Sequence, residues 1–292
     1  MRKHQLRVIL MIMLLSGLAG CGGNSAPSDS ASEEPPIPAT STLNVWCFQA
    51  GKADAFLFWN EAGAVLIDTG ESGFGKIILK KMEELGMDRL DYLILTHFDK
   101  DHVGGAKKIL SEIPVETVLQ SNCPKSGAEA YEKYLAALDA CGLAPLTVRQ
   151  NLRFTLGDVR FTVDPPAREK YPEEESNNSS LIVTVTHGEQ RMLFCGDAEE
   201  LRLAEFLERN PGEYALVKLP HHGKYQTTLQ ALLNETKPAY AVVTSSDDAP
   251  EDAETLALLH ACGVQTFLTR EGPVWITSSE EELTVRTENA AS

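Results

Sequence analysis

Four side chains able to bind a metal, His97, Asp99, Asp101 and His102, fall within six consecutive residues of Thr96-His97-Phe98-Asp99-Lys100-Asp101-His102-Val103-Gly104-Gly105. Imidazoles and carboxylates crowded this closely repel one another when charged and lose hydration when buried. A divalent cation removes both costs, and a mixed imidazole–carboxylate set suits zinc, manganese or iron. Further polar residues follow apolar runs elsewhere: Asp68, Asp197 and the pair His221-His222. Each has a plain explanation alone. Asp68 could cap a turn, Asp197 could cap the helix that follows it, and a His-His pair beside Gly223 could be a polar loop. Taken together they describe a dinuclear metal site, provided the apolar runs are strands whose ends meet along one edge.

The elements needed for that are legible. Leu90–Leu95 reads as a short buried strand leading into the His97–His102 loop, and Ala106–Leu110 as the first turns of a helix. Leu43–Phe48, Ala55–Trp59 and Ala64–Ile67 read as strands, the last ending at Asp68-Thr69-Gly70. Lys76–Leu85 is an amphipathic helix stopped by Gly86. Val115–Leu119 is a strand and Ala128–Ala140 a helix closed by Gly142. Leu152–Leu156 and Val159–Val163 form a hairpin turning at Gly157-Asp158. A polar loop, Pro165–Glu175, leads to a second hairpin, Leu181–Thr186 with Arg191–Phe194, turning at His187-Gly188. Helix Ala198–Glu208, strand Ala215–Leu219, a helical Leu229–Leu233, strand Ala239–Thr244, helix Ala253–Cys262 and strands at Val264–Leu268, Val274–Thr277 and Leu283–Val285 complete the chain. Strand-rich halves punctuated by helices predict two sheets packed face to face with helices outside.

The chain of 292 residues is 43% apolar and carries a formal charge of −16. That balance disfavours a protein that grips nucleic acid through basic patches, though bound cations supply local positive charge to a nuclease. Arg2, Lys3 and Arg7 precede an apolar Val8–Leu18, too short to span a bilayer comfortably. The following Leu18-Ala19-Gly20-Cys21 resembles the lipobox of bacterial lipoproteins, which implies cleavage and lipidation at Cys21. Residues 1–20 are therefore expected to be a signal segment. Residues 21–42, rich in Ser, Pro, Ala and Glu, are a flexible tether, and 43–292 the folded domain. The expected location is the outer face of the cell membrane, with contact to the membrane through the lipid. Five cysteines remain, an odd number for an exported protein, and Cys123 and Cys141 flank one predicted helix closely enough to consider a bridge.

Two motifs lead elsewhere. Gly70-Glu71-Ser72-Gly73-Phe74-Gly75-Lys76-Ile77 nearly spells a phosphate-binding loop but has Ile77 where a hydroxyl should meet magnesium. Asp68-Thr69-Gly70 matches half of an aspartic-protease site, and that chemistry needs two such carboxylates. His187 and His260 read as surface or packing histidines, and Cys195 as a small buried thiol.

The ligand loop resembles the HxHxDH signature of metallo-β-lactamase-fold hydrolases, with Asp99 replacing the second histidine. Its HxDxDH form followed by Gly-Gly is similar to the C-terminal hydrolase domain of ComEC-type competence proteins. Phe48-Gln49-Ala50-Gly51-Lys52-Ala53-Asp54-Ala55, Ile67-Asp68-Thr69-Gly70, Asn177-Asn178-Ser179-Ser180-Leu181, Cys195-Gly196-Asp197 and Leu219-Pro220-His221-His222-Gly223 extend the resemblance over about Leu43 to Val285. Ser245-Ser246-Asp247-Asp248-Ala249-Pro250 departs from it, because that group has a histidine there. The resemblance implies an α+β, four-layer αββα sandwich. It also implies two divalent ions, zinc first and manganese or iron as alternatives. His97 and Asp99 would hold one, Asp101 and His102 the other, Asp197 would bridge, and His222, or alternatively His221, would complete the site. Asp101 and Asp68 are the expected catalytic residues, Asp68 by orienting a histidine ring from behind the ligands. A hydroxide on the metals would attack a phosphoryl or carbonyl centre. The expected substrate is a phosphodiester, as a small molecule or an oligonucleotide; esters and lactones of the same fold class stand as alternatives, as does a non-catalytic surface binding lipoprotein.

Overall fold

The computed structural model describes residues 37–280 and 282–288. The expected signal segment, Cys21 and the tether as far as residue 36 lie outside the described residues. Strands β1 (Leu43–Cys47), β2 (Phe56–Asn60) and β3 (Gly63–Ile67) pair antiparallel, and helix α1 (Gly75–Glu84) follows. Then come β4 (Leu90–Leu95), α2 (Lys100–Val103), α3 (Ala106–Glu112), β5 (Val115–Ser121), α4 (Glu129–Cys141) and β6 (Leu146–Val148), with β3 to β6 parallel. The second half repeats the plan. β7 (Leu152–Leu156), β8 (Val159–Asp164), β9 (Ile182–His187) and β10 (Gln190–Phe194) are antiparallel. After α5 (Glu200–Arg209), β11 (Leu216–Lys218), α6 (Thr228–Thr236), β12 (Tyr240–Val243), α7 (Ala253–Ala261) and β13 (Gln265–Leu268) extend the sheet in parallel. Finally β14 (Val274–Ser278) and β15 (Leu283–Thr287) return to the free edge of β1.

The result is an eight-stranded sheet, β15-β14-β1-β2-β3-β4-β5-β6, and a seven-stranded one, β13-β12-β11-β10-β9-β8-β7. Three apolar layers hold them. Between the sheets, Val45, Phe56, Phe58, Ile67 and Ile94 meet Phe161, Val183, Met192, Phe194 and Val242. Leu57, Leu66, Leu93 and Leu95 point the other way, onto Ile78, Met82, Ile109 and Tyr134 of the first helical layer. Leu193, Val217 and Ala241 do the same beneath Leu203, Phe206, Leu232 and Leu259. The architecture is the expected four-layer αββα sandwich. Central strands covered on both faces are apolar throughout, which is why Leu93-Ile94-Leu95 shows no alternation.

Several local expectations change. β6 carries too few apolar residues to announce itself, and only its pairing with β5 makes it a strand. His187 closes β9 opposite Gln190 rather than occupying the turn. It is buried, and its Nδ1 lies 3.0 Å from Ser278 Oγ, a packing role. Part of the polar loop before β9 winds into a 3-10 turn, Glu173–Ser179. Cys123 and Cys141 are both free, their thiols donating to the carbonyls of Arg168 and Leu110. Gly75, the last glycine of the stretch that imitated a phosphate loop, serves close packing instead. A Cβ on Gly75 would stand 2.7 Å from Gly105 O, and one on Gly105 would stand 2.3 Å from Thr69 O. The two loops can touch only as glycine, which also accounts for the Gly-Gly after the ligand run.

Candidate metal centre

β4 ends at Leu95, and the chain turns through Thr96 and His97 into α2, with Asp99 at its N-cap in an extended conformation. That change of direction distributes the four candidate ligand side chains. His97 and His102 are fully buried, whereas Asp99 and Asp101 are only partly covered. Behind the loop, Asp68 follows β3 at φ 56°, a left-handed conformation that is uncommon for a residue with a side chain. The strain is compensated by bonds. Asp68 accepts the Thr96 N–H at 2.8 Å, the Thr96 hydroxyl at 2.7 Å and His102 Nδ1 at 2.8 Å.

Proton counting then fixes each imidazole. An ionised carboxylate only accepts, so Thr96 spends its one hydroxyl proton on Asp68. Its oxygen, 3.1 Å from His97 Nδ1, must therefore accept from that ring. Asp68 thus places a proton on Nδ1 of His102 directly and on Nδ1 of His97 through Thr96. Both Nε2 atoms are left with a lone pair. On the opposite wall the same logic uses different residues. Thr244 donates its hydroxyl to Asp54 at 2.7 Å and lies 3.0 Å from His222 Nδ1, so His222 also carries its proton there.

That second wall comes from β10 and β11. Gly196, at φ 54°, turns the chain after Phe194-Cys195, and Asp197 N–H is bound by Ser180 Oγ at 3.1 Å. A Cβ on Gly196 would crowd Ser180 and Thr96 at 3.1 Å. After β11, Pro220-His221-His222-Gly223 forms a tight turn in which both histidines have positive φ. Backbone strain of this kind persists where surrounding contacts over-determine it. Under the wall lies Lys218, fully buried. It pairs with the equally buried Asp54, donates to Gly196 O at 3.1 Å and stands 3.8 Å from Asp197 Oδ1.

The centre is shaped for a cation. Nε2 of His97, His102 and His222 and Oδ1 of Asp197 are buried without a hydrogen-bond partner. Donors from Asp101, His102, Asp197 and His222 lie within 4.8 Å of one another. Asp197 Oδ2 approaches His102 Nε2 at 3.2 Å and His222 Nε2 at 3.0 Å, and Asp101 Oδ2 lies 3.6 Å from His222 Nε2. Such a set fits a divalent ion, and orphaned buried lone pairs are otherwise hard to account for. Without an ion, protons do the same work. Burial opposes charge on His102 and His222, yet Asp197 outweighs it and raises both, His102 well above the ordinary value. Burial likewise opposes ionisation of Asp197, and His222 and His102 outweigh it, holding Asp197 well below the carboxylate range. His97 behaves oppositely: burial and the neighbouring His102 lower it.

The structure therefore gathers Asp101, His102, Asp197 and His222 into one group, with Asp68 directly behind. His97 Nε2 and Asp99 Oδ1 lie 3.8 Å apart on the outer side, and Asp99 is also held by Lys125 Nζ at 2.5 Å. His221 turns away from the group. Its Nδ1 lies 3.2 Å from Glu199 Oε1, and it lines a cavity of about 520 Å³ together with Lys224, Tyr225 and Asp252. Reading the sequence missed Asp54 as an anchor, along with Lys218, Thr244 and Lys125. Lys218 had a signal: a lysine inside the apolar run Leu216-Val217-Lys218-Leu219 needs a buried partner.

Comparison with known proteins agrees with this geometry. The family model of the metallo-beta-lactamase superfamily matches residues 49–245. ComE operon protein 3 of Bacillus subtilis is 28% identical over 206 residues, 64% of this chain and 26% of that protein. Recombination protein 2 of Haemophilus influenzae is 28% identical over 210 residues, covering 70% and 24%. Competence protein ComA of Neisseria gonorrhoeae is 23% identical over 238 residues, covering 80% and 30%. The resemblance to ComEC-type competence proteins thus holds, and this chain spans less than a third of the length of each of these relatives. Among solved structures, the metallo-beta-lactamase fold protein YhfI from Bacillus subtilis superposes with a TM-score of 0.54 at 10% identity, over 84% of this chain and all of that one. Igni18, a metallo hydrolase from Ignicoccus hospitalis, gives 0.51 at 13% identity, over 85% of this chain and all of that one. Both share the fold.

Proposed function

The chain belongs to the metallo-beta-lactamase superfamily, and from that premise we propose that it is an exported, lipid-anchored, metal-dependent hydrolase of phosphodiester bonds. The observation that carries the catalytic part is the convergence of Asp101, His102, Asp197 and His222, whose donor atoms lie within 4.8 Å of one another, the Nε2 atoms of the two histidines having no hydrogen-bond partner. Bound divalent ions supply Lewis acidity and lower the pKa of water towards neutrality. The chain's own residues prepare that chemistry. Asp68 and the Thr244–Asp54 pair hold three imidazoles in the tautomer that presents a lone pair. Burial of His97, His102 and His222 keeps bulk water from their donor atoms. Asp101, on the accessible side, is held far below the carboxylate range: burial opposes this, and His222 and His102 outweigh it. It is thus held as a carboxylate, ready to accept a cation.

The phosphodiester preference draws its support from relatives named for recombination and competence. A net charge of −16 argues against a long duplex as the substrate and favours small diesters or short single strands. Export and lipid anchoring rest on the lipobox at Cys21.

The test uses the full chain in detergent, stripped with a chelator and reloaded with manganese or zinc. It is offered a bis-aryl phosphate, a short oligonucleotide, an aryl ester, a lactone and a β-lactam. Cleavage of the diester, lost with chelator and in Asp101→Ala, is the expected result. Turnover of the ester or lactone alone would move the substrate class. Turnover of nothing by a metal-loaded protein would leave a binding protein.

A further inference from the structure

The two sides of the metal centre are not equally ready for an ion. On the inner side four donors, from Asp101, His102, Asp197 and His222, already lie within 4.8 Å of one another. Their rings are held by Asp68 and Thr244. On the outer side, among the described residues, His97 Nε2 and Asp99 Oδ1 face each other at 3.8 Å, and Oδ1 of Asp197 is a further buried oxygen without a hydrogen-bond partner. The Asp99 oxygen that faces His97, at 3.8 Å, is the same one that receives Lys125 Nζ at 2.5 Å. An ammonium therefore neutralises the single carboxylate that belongs to the outer side alone, and it stands where a second cation would be repelled by it.

We propose that Lys125 is a built-in counter-cation for Asp99, and that a second divalent ion enters the centre only by displacing it. The inference rests on the metal-centre reading above. It makes binding sequential, with a tight inner ion followed by a weaker outer one. Lys125 lies in the turn after β5, following Cys123-Pro124 and ahead of Gly127, and is about one-third exposed, so its side chain has room to move. Ser176 Oγ, 3.4 Å from Nζ, offers the displaced ammonium another acceptor. The exchange keeps the local charge in check: one ammonium leaves as one dication arrives.

The experiment is a titration of the chelator-stripped full chain with zinc ions, in competition with a chromophoric chelator, so that binding is read directly and not through turnover. Wild type is expected to take two ions in separate steps. Lys125→Ala is expected to tighten the second by about fivefold while leaving the first unchanged, the size of a partly exposed ion pair. Lys125→Arg should keep the wild-type gap because the cation remains. Lys133→Ala, which removes an exposed cation paired with Glu129 on α4, should leave both steps alone. An unchanged second step in Lys125→Ala overturns the inference, as do two equal steps in wild type or an equal tightening in Lys133→Ala. In each of those cases the metal centre itself stands. Failure of wild type and variants to bind any zinc overturns this inference together with the metal-centre reading.

Discussion

The two walls of the candidate metal centre are built in different ways. The first sheet delivers His97, Asp99, Asp101 and His102 from one turn after β4, and their orientation is set by Asp68 and Thr96 from neighbouring strand ends of the same sheet. The second sheet delivers Asp197 and His222 from the ends of two strands. Their support, the Lys218–Asp54 pair with Thr244, runs across the gap between the sheets. A wall made by one turn is a local product and needs few distant contacts. A wall made by separate strands is only as good as the packing that aligns them.

The largest expected effect tests that contrast. Lys218→Met leaves Asp54 as a buried carboxylate without its cation and should cost about 3–5 kcal/mol. Denaturant unfolding of the metal-free protein measures this. A loss below about 1 kcal/mol would mean that the pair is solvated or replaceable, and that the second wall is not the fragile one.

Next come the residues that set the rings. Asp68→Asn removes the acceptor for His102 and disturbs His97 through Thr96, whereas Thr244→Val removes the acceptor of one ring, His222, together with the hydroxyl donor to Asp54. Losses of metal affinity in the range of about 10–100-fold are typical for such supporting groups, and Asp68→Asn should lie at the upper end and Thr244→Val at the lower. Equal losses in zinc competition would remove the distinction between a carboxylate serving two rings and a hydroxyl serving one.

The pH response follows with a smaller effect and a defined sign. His102 and His222 have raised values in the metal-free fold, so the stability they add is complete below the unfolded value of about 6.5 and disappears as pH rises through their folded values. His97 is lowered, so its contribution is complete above about 6.5 and is lost as pH falls through its folded value. Metal-free protein should therefore lose melting temperature from neutral to mildly alkaline pH, and added zinc should reverse the trend by taking the place of those protons. A flat or rising metal-free profile across that window would contradict the proton-for-metal exchange.

The smallest effect concerns the thiols under each wall. Burial pushes Cys195, below the second wall, up to about 12, and pushes Cys47 higher still. Cys141 and Cys262 are exposed. A thiol reagent at neutral pH should label the exposed pair quickly and Cys195 only on unfolding. Rapid labelling of Cys195 in Lys218→Met but not in Asp68→Asn would show the second wall loosening by itself.

Much of this was legible beforehand. The six-residue ligand run, the strand before it and the apolar patterns of both sheets are local features, and period and residue type carry them. Strand-rich halves punctuated by helices implied two sheets packed face to face with helices outside, hence a layered sandwich. Asp68, Asp197 and the pair His221-His222 could be named because each follows an apolar run, and the preference for His222 came from the family resemblance. What could not be read was which partner each would find. Nothing near Thr244 in the chain announces Asp54, 190 residues away, and nothing near Asp99 announces Lys125.

The division has a physical reason. Residue type and spacing determine which side chains can ligate a cation and which strand ends present them, because backbone periodicity and donor chemistry are short-range. Tautomer, charge state and the choice of His222 over His221 for the inner group depend on hydrogen-bond acceptors brought together by sheet packing. In the sequence Asp54 is a polar residue between two apolar runs. Only when the two sheets close does it become the acceptor for Lys218 and Thr244, and only then does His222 present its lone pair to the centre.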